Sequence, residues 1–491
     1  MLKVMTLIAM TLSMPLHLLS VRYNYSFHGH VIHSAPGMTF AAYMNEATLG
    51  VTLSSPEDLK VFGDMIYLVD SRTHALVMIN RDFTLVDAYT TFALSASYEA
   101  ARINAGEEDP QPVTLNGPFG LDVKDSGIYI CDTGNYRIVK LNHALEVVGV
   151  FDTIEDPTFD TLDFEPRKIT VDASERMYVV ARNVYEGIIE LDSNGSFNRF
   201  TGVNPLRLNA IEILRRSLMS EAQLAQMRLY LPTEYTNVSI DHRSFIYATS
   251  KPSEGNAENM IQLINPKGVD VLRRNGYHPP MGDVHFMIGM NNYVITGPSD
   301  LVAIASTDHG IYTVLDQKRS RLFTYDAEGN LLYINGDRGA QSDRFSEGVA
   351  LAYLDDDLLV LDRRTRTIVV YRLTDFGLAV NAAIARQAEG DFAGAADIWQ
   401  EVLRMNSNYE VAYNGIGKNH LREGRYREAM DYFKLGHDYF YYSKAFQQHR
   451  NALIRDHFAT IALTALALGG TLAGLKIRKV YRKGGSLLYE D

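Results

Sequence analysis

The chain has 491 residues, of which 46% are hydrophobic and 22% are charged, a composition typical of an ordered globular protein. Its length suggests about three domains. The net charge of −12 argues against a nucleic-acid-binding protein, which needs a basic surface. The single cysteine, Cys131, excludes an intrachain disulfide, and its apolar sequence context predicts a buried thiol.

The first 20 residues resemble a secretory signal peptide. Lys3 precedes an apolar run that extends to Leu19, as in the charged and hydrophobic regions of such peptides. Pro15 and His17 interrupt the run, so an uncleaved anchor and a buried N-terminal helix stay open as alternatives.

The stretch Leu115–Leu141, LNGPFGLDVKDSGIYICDTGNYRIVKL, predicts three short strands separated by turns at 125–127 and 132–135. Gly takes positive φ freely, and Asp and Ser bond their own backbone, which makes these clusters typical turns. Strands at such close spacing indicate an antiparallel all-β structure. One unit cannot bury both of its faces, so we expect further copies.

Five weaker copies surround this stretch, at separations of roughly 45–70 residues. They are Ser55–Ile79, Glu165–Leu191, Leu231–Ile264, Gly297–Tyr325 and Glu347–Tyr371. Six β units predict a mainly β, six-bladed propeller over residues 21–373, in which radial blades protect one another's edges. Apolar residues at helical spacing predict a helical insertion at 206–229, which either covers apolar surface or shapes a binding site.

The segment Pro118–Ile138 reads Pro-x-Gly-Leu-x-Val and then Gly-x-Tyr-Ile-x-Asp-Thr-Gly-Asn-x-Arg-Ile, and it resembles the NHL repeat. The other copies are degenerate, and the third has Ala181 at the aspartate position. The resemblance implies a structural role for the aspartate and asparagine, which would hold the turn between the two inner strands. The residues concerned are Asp70, Asp132, Asn135, Asp316 and Asp362.

From residue 374 to residue 456 the pattern becomes helical. Segments that begin at Gly390 and Gly424 are offset by 34 residues, which is the period of the tetratricopeptide repeat. Trp399 of the first segment aligns with Phe433 of the second. Two repeats are fewer than an independent array needs, so we expect them to be stabilised by packing against the propeller, the membrane or a partner.

Residues 457–477 predict a transmembrane helix, because the 18 residues from Phe458 to Leu475 carry no charge. Basic residues between 476 and 483 predict that the tail, 478–491, is cytoplasmic. Together with the signal-like N-terminus, this predicts a single-pass protein of the cell membrane whose bulk is extracytoplasmic.

The order of signal, propeller, short helical repeat, membrane span and basic tail is similar to that of a family of bacterial membrane-anchored proteins. The phrases QLIN (262–265), FTYDAEGNLL (323–332) and AYNGIG (412–417) also resemble that family. The resemblance implies an association with carbohydrate transporter components, and it implies no established biochemical role.

We therefore predict a binding or scaffold protein, without a cofactor, whose propeller recognises a carbohydrate, a polymer or a protein partner. The alternative is a metal-dependent lactonase-like hydrolase, which would hold a divalent metal such as calcium on the propeller axis. Its candidate ligands are carboxylates expected at comparable repeat positions, beside Lys168 and Asn237. They are Asp58, Asp122 and Asp300. An axis lined by apolar or basic side chains would argue against the alternative.

Overall fold

The computed structural model describes residues 23–154, 156, 159, 164–202, 234–252, 259–283, 288–290, 293–295 and 297–484. The predicted signal segment, the predicted insertion at 206–229 and the last residues of the tail lie outside this part of the chain. The structure divides into two compact units, of which the first ends at Ala388 and the second begins at Glu389.

The first unit is a six-bladed β-propeller, as the sequence predicted. The first strand of each blade contacts the first strands of the two neighbouring blades, so that six inner strands form a closed ring. Within a blade the strands are antiparallel and follow chain order away from the axis, except that the outer strand of blade 6 comes from the N-terminal region. Alternating apolar residues fill the spaces between blades, where Leu59 and Leu68 of blade 1 join Leu359 and Leu361 of blade 6 in one core cluster.

The strands of blade 1 are Pro56–Phe62, Met65–Asp70, Ala75–Asn80 and Leu85–Tyr89. Those of blade 2 are Gly120–Lys124, Gly127–Asp132, Arg137–Leu141 and Val147–Phe151. Those of blade 3 are Pro166–Val171, Met177–Ala181, Ile188–Leu191 and Phe197–Thr201.

The described strands of blade 4 are Tyr235–Ile240, Ile246–Ser250 and Ile261–Ile264. Those of blade 5 are Leu301–Ser306, Tyr312–Asp316, Arg321–Tyr325 and Leu331–Asn335. Blade 6 has Gly348–Leu354, Asp357–Asp362, Thr367–Leu373 and, as its outer strand, Met38–Met44 from the N-terminal region. Shorter strand pairs are Tyr23–Tyr25 with Val31–His33, Thr91–Phe92 with Val113–Thr114, and Ile288–Met290 with Tyr293–Ile295.

Residues from the two ends of this unit close the ring. Met38–Met44 runs antiparallel to Thr367–Leu373, with Met38 opposite Leu373. This pairing covers an edge that would otherwise present unpaired backbone groups. The sequence had shown no complete repeat before residue 55, because this strand is separated from its blade by almost the whole propeller.

Among its described residues, the propeller unit has three helices: α1 (Glu46–Leu49), α2 (Ala96–Asn104) and α3 (Asp375–Ala388). A 3₁₀ turn spans Thr133–Asn135. Helix α3 packs closely on the N-terminal segment, since a Cβ at Gly377 would lie 1.9 Å from the carbonyl oxygen of Gly37. The Tyr333 hydroxyl also donates to Asn381 Oδ1 at 3.1 Å.

The second unit contains α4 (Phe392–Met405), α5 (Glu410–Arg422), α6 (Tyr426–Leu435), α7 (Tyr439–Asp456) and α8 (Phe458–Gly484). Each of the helices α4 to α7 packs on the next one. Trp399 and Phe433, the aligned residues of the sequence repeat, are both fully buried. Gly415 and Gly417 allow this packing, because a Cβ would lie 2.2 Å from the Trp399 ring and 2.8 Å from the Phe433 ring, respectively.

Helix α8 contains the predicted span. Its segment Phe458–Arg482, 25 residues long, is apolar enough to cross a membrane, and no residue of its most apolar stretch is buried. At 1.5 Å per residue this segment is about 37 Å long, which exceeds the roughly 30 Å of a bilayer's hydrocarbon core.

Candidate functional site: an axial cavity

The inner strands share an irregularity at the same point. The ladder between the first and second strands skips one residue near its start in blades 1, 3, 4, 5 and 6. A β-bulge of this kind turns a side chain away from the regular alternation. In blade 2, Phe119 occupies the same position, immediately before the paired residue Gly120. The six residues are Glu57, Phe119, Arg167, Thr236, Val302 and Val349.

All six of these residues line one cavity of about 330 Å³. Since each blade contributes one of them, the cavity lies on the propeller axis, and we call it the axial cavity. It lies at the end of the propeller where the inner strands begin and the second strands end. Val180, Tyr235 and Gln317 complete its lining with other residues from the same strand ends.

An arginine and an aromatic ring form one wall of the axial cavity. The Arg167 guanidinium lies 4.4 Å from the centroid of the Phe119 ring, in cation–π geometry. Its Nη2 atom donates to Glu165 Oε1 at 2.7 Å. The stack and the ion pair fix the guanidinium plane, while 30% of the Arg167 side chain stays exposed.

A buried charge pair lies under this wall. The Lys168 Nζ is 3.1 Å from Asp58 Oδ2 and donates to the Glu57 carbonyl oxygen at 3.0 Å. Only 6% of the Lys168 side chain and 5% of the Asp58 side chain are exposed. The ammonium group therefore neutralises Asp58 and joins blade 3 to blade 1 across the axis.

Glu57 is the acidic residue among the six. Its carboxylate accepts hydrogen bonds from the hydroxyls of Ser55 at 2.8 Å and Ser71 at 3.0 Å. Arg363 of blade 6 donates to its other oxygen at 2.9 Å. Burial lowers the pKa of Arg363, but its bonds and charge interactions with Glu347 and Glu57 outweigh burial and raise that pKa overall.

A ring of residue pairs surrounds the cavity mouth. In five blades, the N–H of the residue after the second strand donates to the carbonyl of the residue before the first strand. In three blades these two residues carry opposite charges, and we call them the rim pairs. They are Glu165–Arg182, Glu234–Lys251 and Glu347–Arg363.

Each aspartate predicted as a turn residue is the last residue of the second strand of its blade. Asp132 Oδ1 accepts the Asn116 N–H at 2.6 Å, while its Oδ2 accepts Asn135 Nδ2 at 2.9 Å and Arg137 Nε at 2.7 Å. The other members accept backbone N–H groups both from the turn that follows them and from the segment before the first strand. These residues, all fully buried, are Asp70, Asp316 and Asp362.

The three candidate metal ligands do not share a repeat position, which corrects the sequence alignment. Asp58 is opposite Val69 and Asp122 is opposite Tyr129, whereas Asp300 precedes the first paired residue of its blade. Asp122 accepts hydrogen bonds from Thr170 Oγ1 at 3.1 Å and the Val171 N–H at 2.8 Å. Burial is the main cause of a raised Asp300 pKa, which makes its ionised form less favourable.

These residues do not fit a divalent cation. Asp58 is already neutralised by Lys168, and the positive charges of Lys168 and Arg167 face the cavity. Within the part of the chain that the structure describes, no three His, Cys, Asp or Glu side chains cluster as metal ligands would. Cys131 is buried as predicted, and burial raises the pKa of its thiol.

Sequence reasoning missed Glu57, Arg167 and Arg363. The usable signal was the residue directly after Pro56, Pro118 and Pro166, since that residue occupies the bulge or its equivalent in each of these blades. In blades 1, 3 and 4 the sequence placed the axial residue one position too late, because a bulge shifts the phase of a strand by one residue. In blades 2 and 5 the copies were misaligned by more, since Asp122 lies three residues after Phe119 and Asp300 lies two residues before Val302.

No protein-family model matches this chain, and no curated protein matches it. Among solved structures, virginiamycin B lyase from Staphylococcus aureus is similar at 11% identity and a TM-score of 0.40, covering 68% of this chain and 99% of that one. A streptogramin B lyase is similar at 12% identity and a TM-score of 0.40, covering 70% and 100%. A protein of unknown function from Bacteroides thetaiotaomicron gives 9% identity, a TM-score of 0.40 and coverage of 70% and 78%. The six-bladed assignment rests on the sheets and the inner-strand contacts described above.

Proposed function

We propose that this protein is a membrane-anchored, extracytoplasmic binding protein of the NHL-propeller type, and that its axial cavity holds a segment of a saccharide. The observation that supports this most is the convergence of one side chain from every blade on a single cavity. At about 330 Å³ the cavity is at the small end of typical small-molecule sites, which span roughly 300–1,000 Å³. That size suits a short segment better than a folded partner.

The chemistry of the lining supports a neutral, hydroxyl-rich segment. Glu57 and the rim pairs supply acceptors and donors held in fixed planes, which suits hydroxyl groups that both donate and accept. Phe119, Val302 and Val349 supply apolar surface for the C–H faces of a sugar ring. The charged groups of the lining already pair with one another, so an uncharged ligand can bind without breaking these ion pairs.

The saccharide proposal can be tested by binding of the full-length protein, in detergent, to an array of oligosaccharides. Arg167→Ala removes a hydrogen-bonding wall of the cavity and should weaken binding at least 10-fold. Arg372→Gln is the matched control, since Arg372 is exposed and pairs with Asp357, which begins the second strand of blade 6 at the end away from the cavity. Equal binding by both variants, or no binding by the unaltered protein, would reject the proposal.

The proposed location rests on the two ends of the chain. The segment 1–20 would direct the propeller across the membrane, and α8 would remain in the bilayer with its basic end in the cytoplasm. A protease-cleavable tag placed after Asp491 tests this topology in intact cells. Cleavage of the tag from outside the cell would contradict the proposed orientation.

We further propose that the helical unit, which has the 34-residue period of tetratricopeptide repeats, docks a neighbouring membrane protein such as a transporter component. Tyr439, Phe440 and Phe446 of α7 support this, since they are 61%, 74% and 48% exposed although large and apolar. A photo-crosslinking residue at position 440 should capture this neighbour in native membranes, whereas one at exposed Glu401 on α4 should not. Cross-linking to lipid alone would reject the docking proposal.

A further inference from the structure

A second cleft lies beside the axial cavity, between blades 6 and 1. Its volume is about 520 Å³, and its walls are the turns that follow the second strands of these two blades. Arg72 and His74 come from the blade 1 turn, and Arg363 and Arg364 come from the blade 6 turn. We call it the interblade cleft.

Two guanidinium groups of the interblade cleft, those of Arg72 and Arg364, have no neutralising carboxylate among the residues that the structure describes. Arg363 is shared between Glu57 and Glu347. Arg72 and Arg364, in contrast, are exposed and form no ion pair with any residue in the described part of the chain. In a chain whose net charge is −12, this is a local excess of positive charge.

Both turns are held in place by buried aspartates. The Arg72 N–H donates to Asp70 Oδ1 at 3.0 Å, and the Arg364 N–H donates to Asp362 Oδ1 at 2.8 Å. Because the two aspartates occupy the same register position in adjacent blades, the two arginines start from equivalent, fixed backbone sites. This reduces the conformational entropy that an anion would have to remove on binding.

His74 adds a hydrogen-bond donor to the cleft. Its Nδ1 accepts the Gly117 N–H at 2.8 Å, so the neutral ring carries its proton on Nε2. Two unpaired guanidinium groups and an N–H donor suit an oxyanion, which arginine binds in a bidentate manner.

The interblade cleft and the axial cavity are adjacent, since Arg363 lines both of them. We propose that the cleft binds the anionic group (carboxylate, phosphate or sulfate) of an acidic saccharide whose neutral part occupies the axial cavity. This inference rests on the proposed function, because it names the class of saccharide.

The test compares the unaltered full-length protein with the double variant Arg72→Gln/Arg364→Gln. The first probe is inorganic phosphate, titrated at constant ionic strength while the melting temperature is recorded. The second probe is an array of matched neutral, uronate-containing, phosphorylated and sulfated oligosaccharides. Arg81→Gln/Arg372→Gln is the control, because it removes the same charge from blades 1 and 6 at exposed sites outside the cleft.

The expected result is that phosphate raises the melting temperature of the unaltered protein and of the control, but not of the cleft variant. The cleft variant should bind acidic oligosaccharides about 10-fold more weakly and neutral ones unchanged. The array arms also show which oxyanion is preferred.

The possible failures are distinct. Equal binding of acidic and neutral saccharides, with no response to phosphate, overturns the cleft proposal and leaves the saccharide proposal standing. A phosphate response that the cleft variant abolishes, without any saccharide binding, refutes the saccharide proposal and the acidic-saccharide assignment together, and leaves only a simple anion site.

Discussion

In blade 2 the second strand ends at Asp132, whereas in blade 3 the same register position holds Ala181. The carboxylate of Asp132 joins Asn116, Asn135 and Arg137 around one turn. Blade 3 has no such carboxylate, and its charged residues Glu165, Arg167 and Arg182 lie at the cavity mouth instead. The more regular repeat therefore uses its polar groups to stabilise itself, whereas the more degenerate one places them at the mouth of the axial cavity.

The largest effect on stability should come from Asp132→Ala in blade 2. The change leaves Arg137 and two amide donors without their buried acceptor, which should lower the free energy of unfolding by about 3 kcal/mol. Thermal unfolding of the full-length protein in detergent measures this as a fall in melting temperature. Asp125→Ala, at an exposed turn of the same blade, is the control, and an equal fall there would contradict the interpretation.

A smaller loss is expected from Gly120→Ala, which acts where blades 2 and 3 meet. The new Cβ would lie 2.4 Å from the Arg167 carbonyl oxygen and 2.9 Å from the Lys168 Cα, so backbone atoms must move. We expect a loss of about 2 kcal/mol in the free energy of unfolding. Gly149→Ala has a side-chain atom of Phe151 as its nearest neighbour at 3.2 Å and should cost less. A larger loss for Gly149→Ala than for Gly120→Ala would show that the backbone between blades 2 and 3 can move at little cost.

An acid-sensitive contact lies outside both of these blades, where His278 packs against Tyr25 of the N-terminal strand pair Tyr23–Tyr25 and Val31–His33. Tyr25 stacks on His278 with ring centroids 4.0 Å apart, and burial lowers the pKa of His278 to about 4. Its ordinary pKa is 6.5, so on acidification the unfolded chain binds this proton first. Stability should therefore fall as the pH decreases from about 6.5 to about 4.

His278→Gln removes the titrating group and keeps a donor for the Gly282 carbonyl oxygen. The difference in melting temperature between this variant and the unaltered protein should change across that pH range. Asp283 accepts a hydrogen bond from the Tyr25 hydroxyl in both proteins. Its contribution to the pH dependence therefore cancels when the variant is compared with the unaltered protein. A constant difference from pH 7 to pH 4 would contradict the assignment.

The smallest change in stability is expected for Arg182→Gln in blade 3. The Arg182 side chain is 57% exposed and lies 3.4 Å from Glu165. Exposed ion pairs contribute little, so the free energy of unfolding should change by less than about 0.5 kcal/mol. A loss comparable to that of Asp132→Ala would remove the contrast between the two blades.

The sequence was sufficient for the propeller and the apolar helix because strand spacing and hydrophobic runs are local signals. The sequence pattern indicates a strand near Met38–Met44 but not its place in blade 6, because its partner Thr367–Leu373 is more than 300 residues away. The site was misplaced for a different reason. A bulge is a property of the pairing between two strands. The sequence of one strand alone therefore did not reveal that Glu57 and Arg167 are the residues that the pairing skips.

From this contrast we expect the cavity end of blade 3 to serve binding and not stability. The most direct test measures melting temperature and oligosaccharide-array binding for Arg167→Ala in the full-length protein. We expect a melting temperature within about 1 °C of that of the unaltered protein, together with at least 10-fold weaker saccharide binding. Unchanged binding, or a loss of binding that accompanies a large fall in melting temperature, would contradict it.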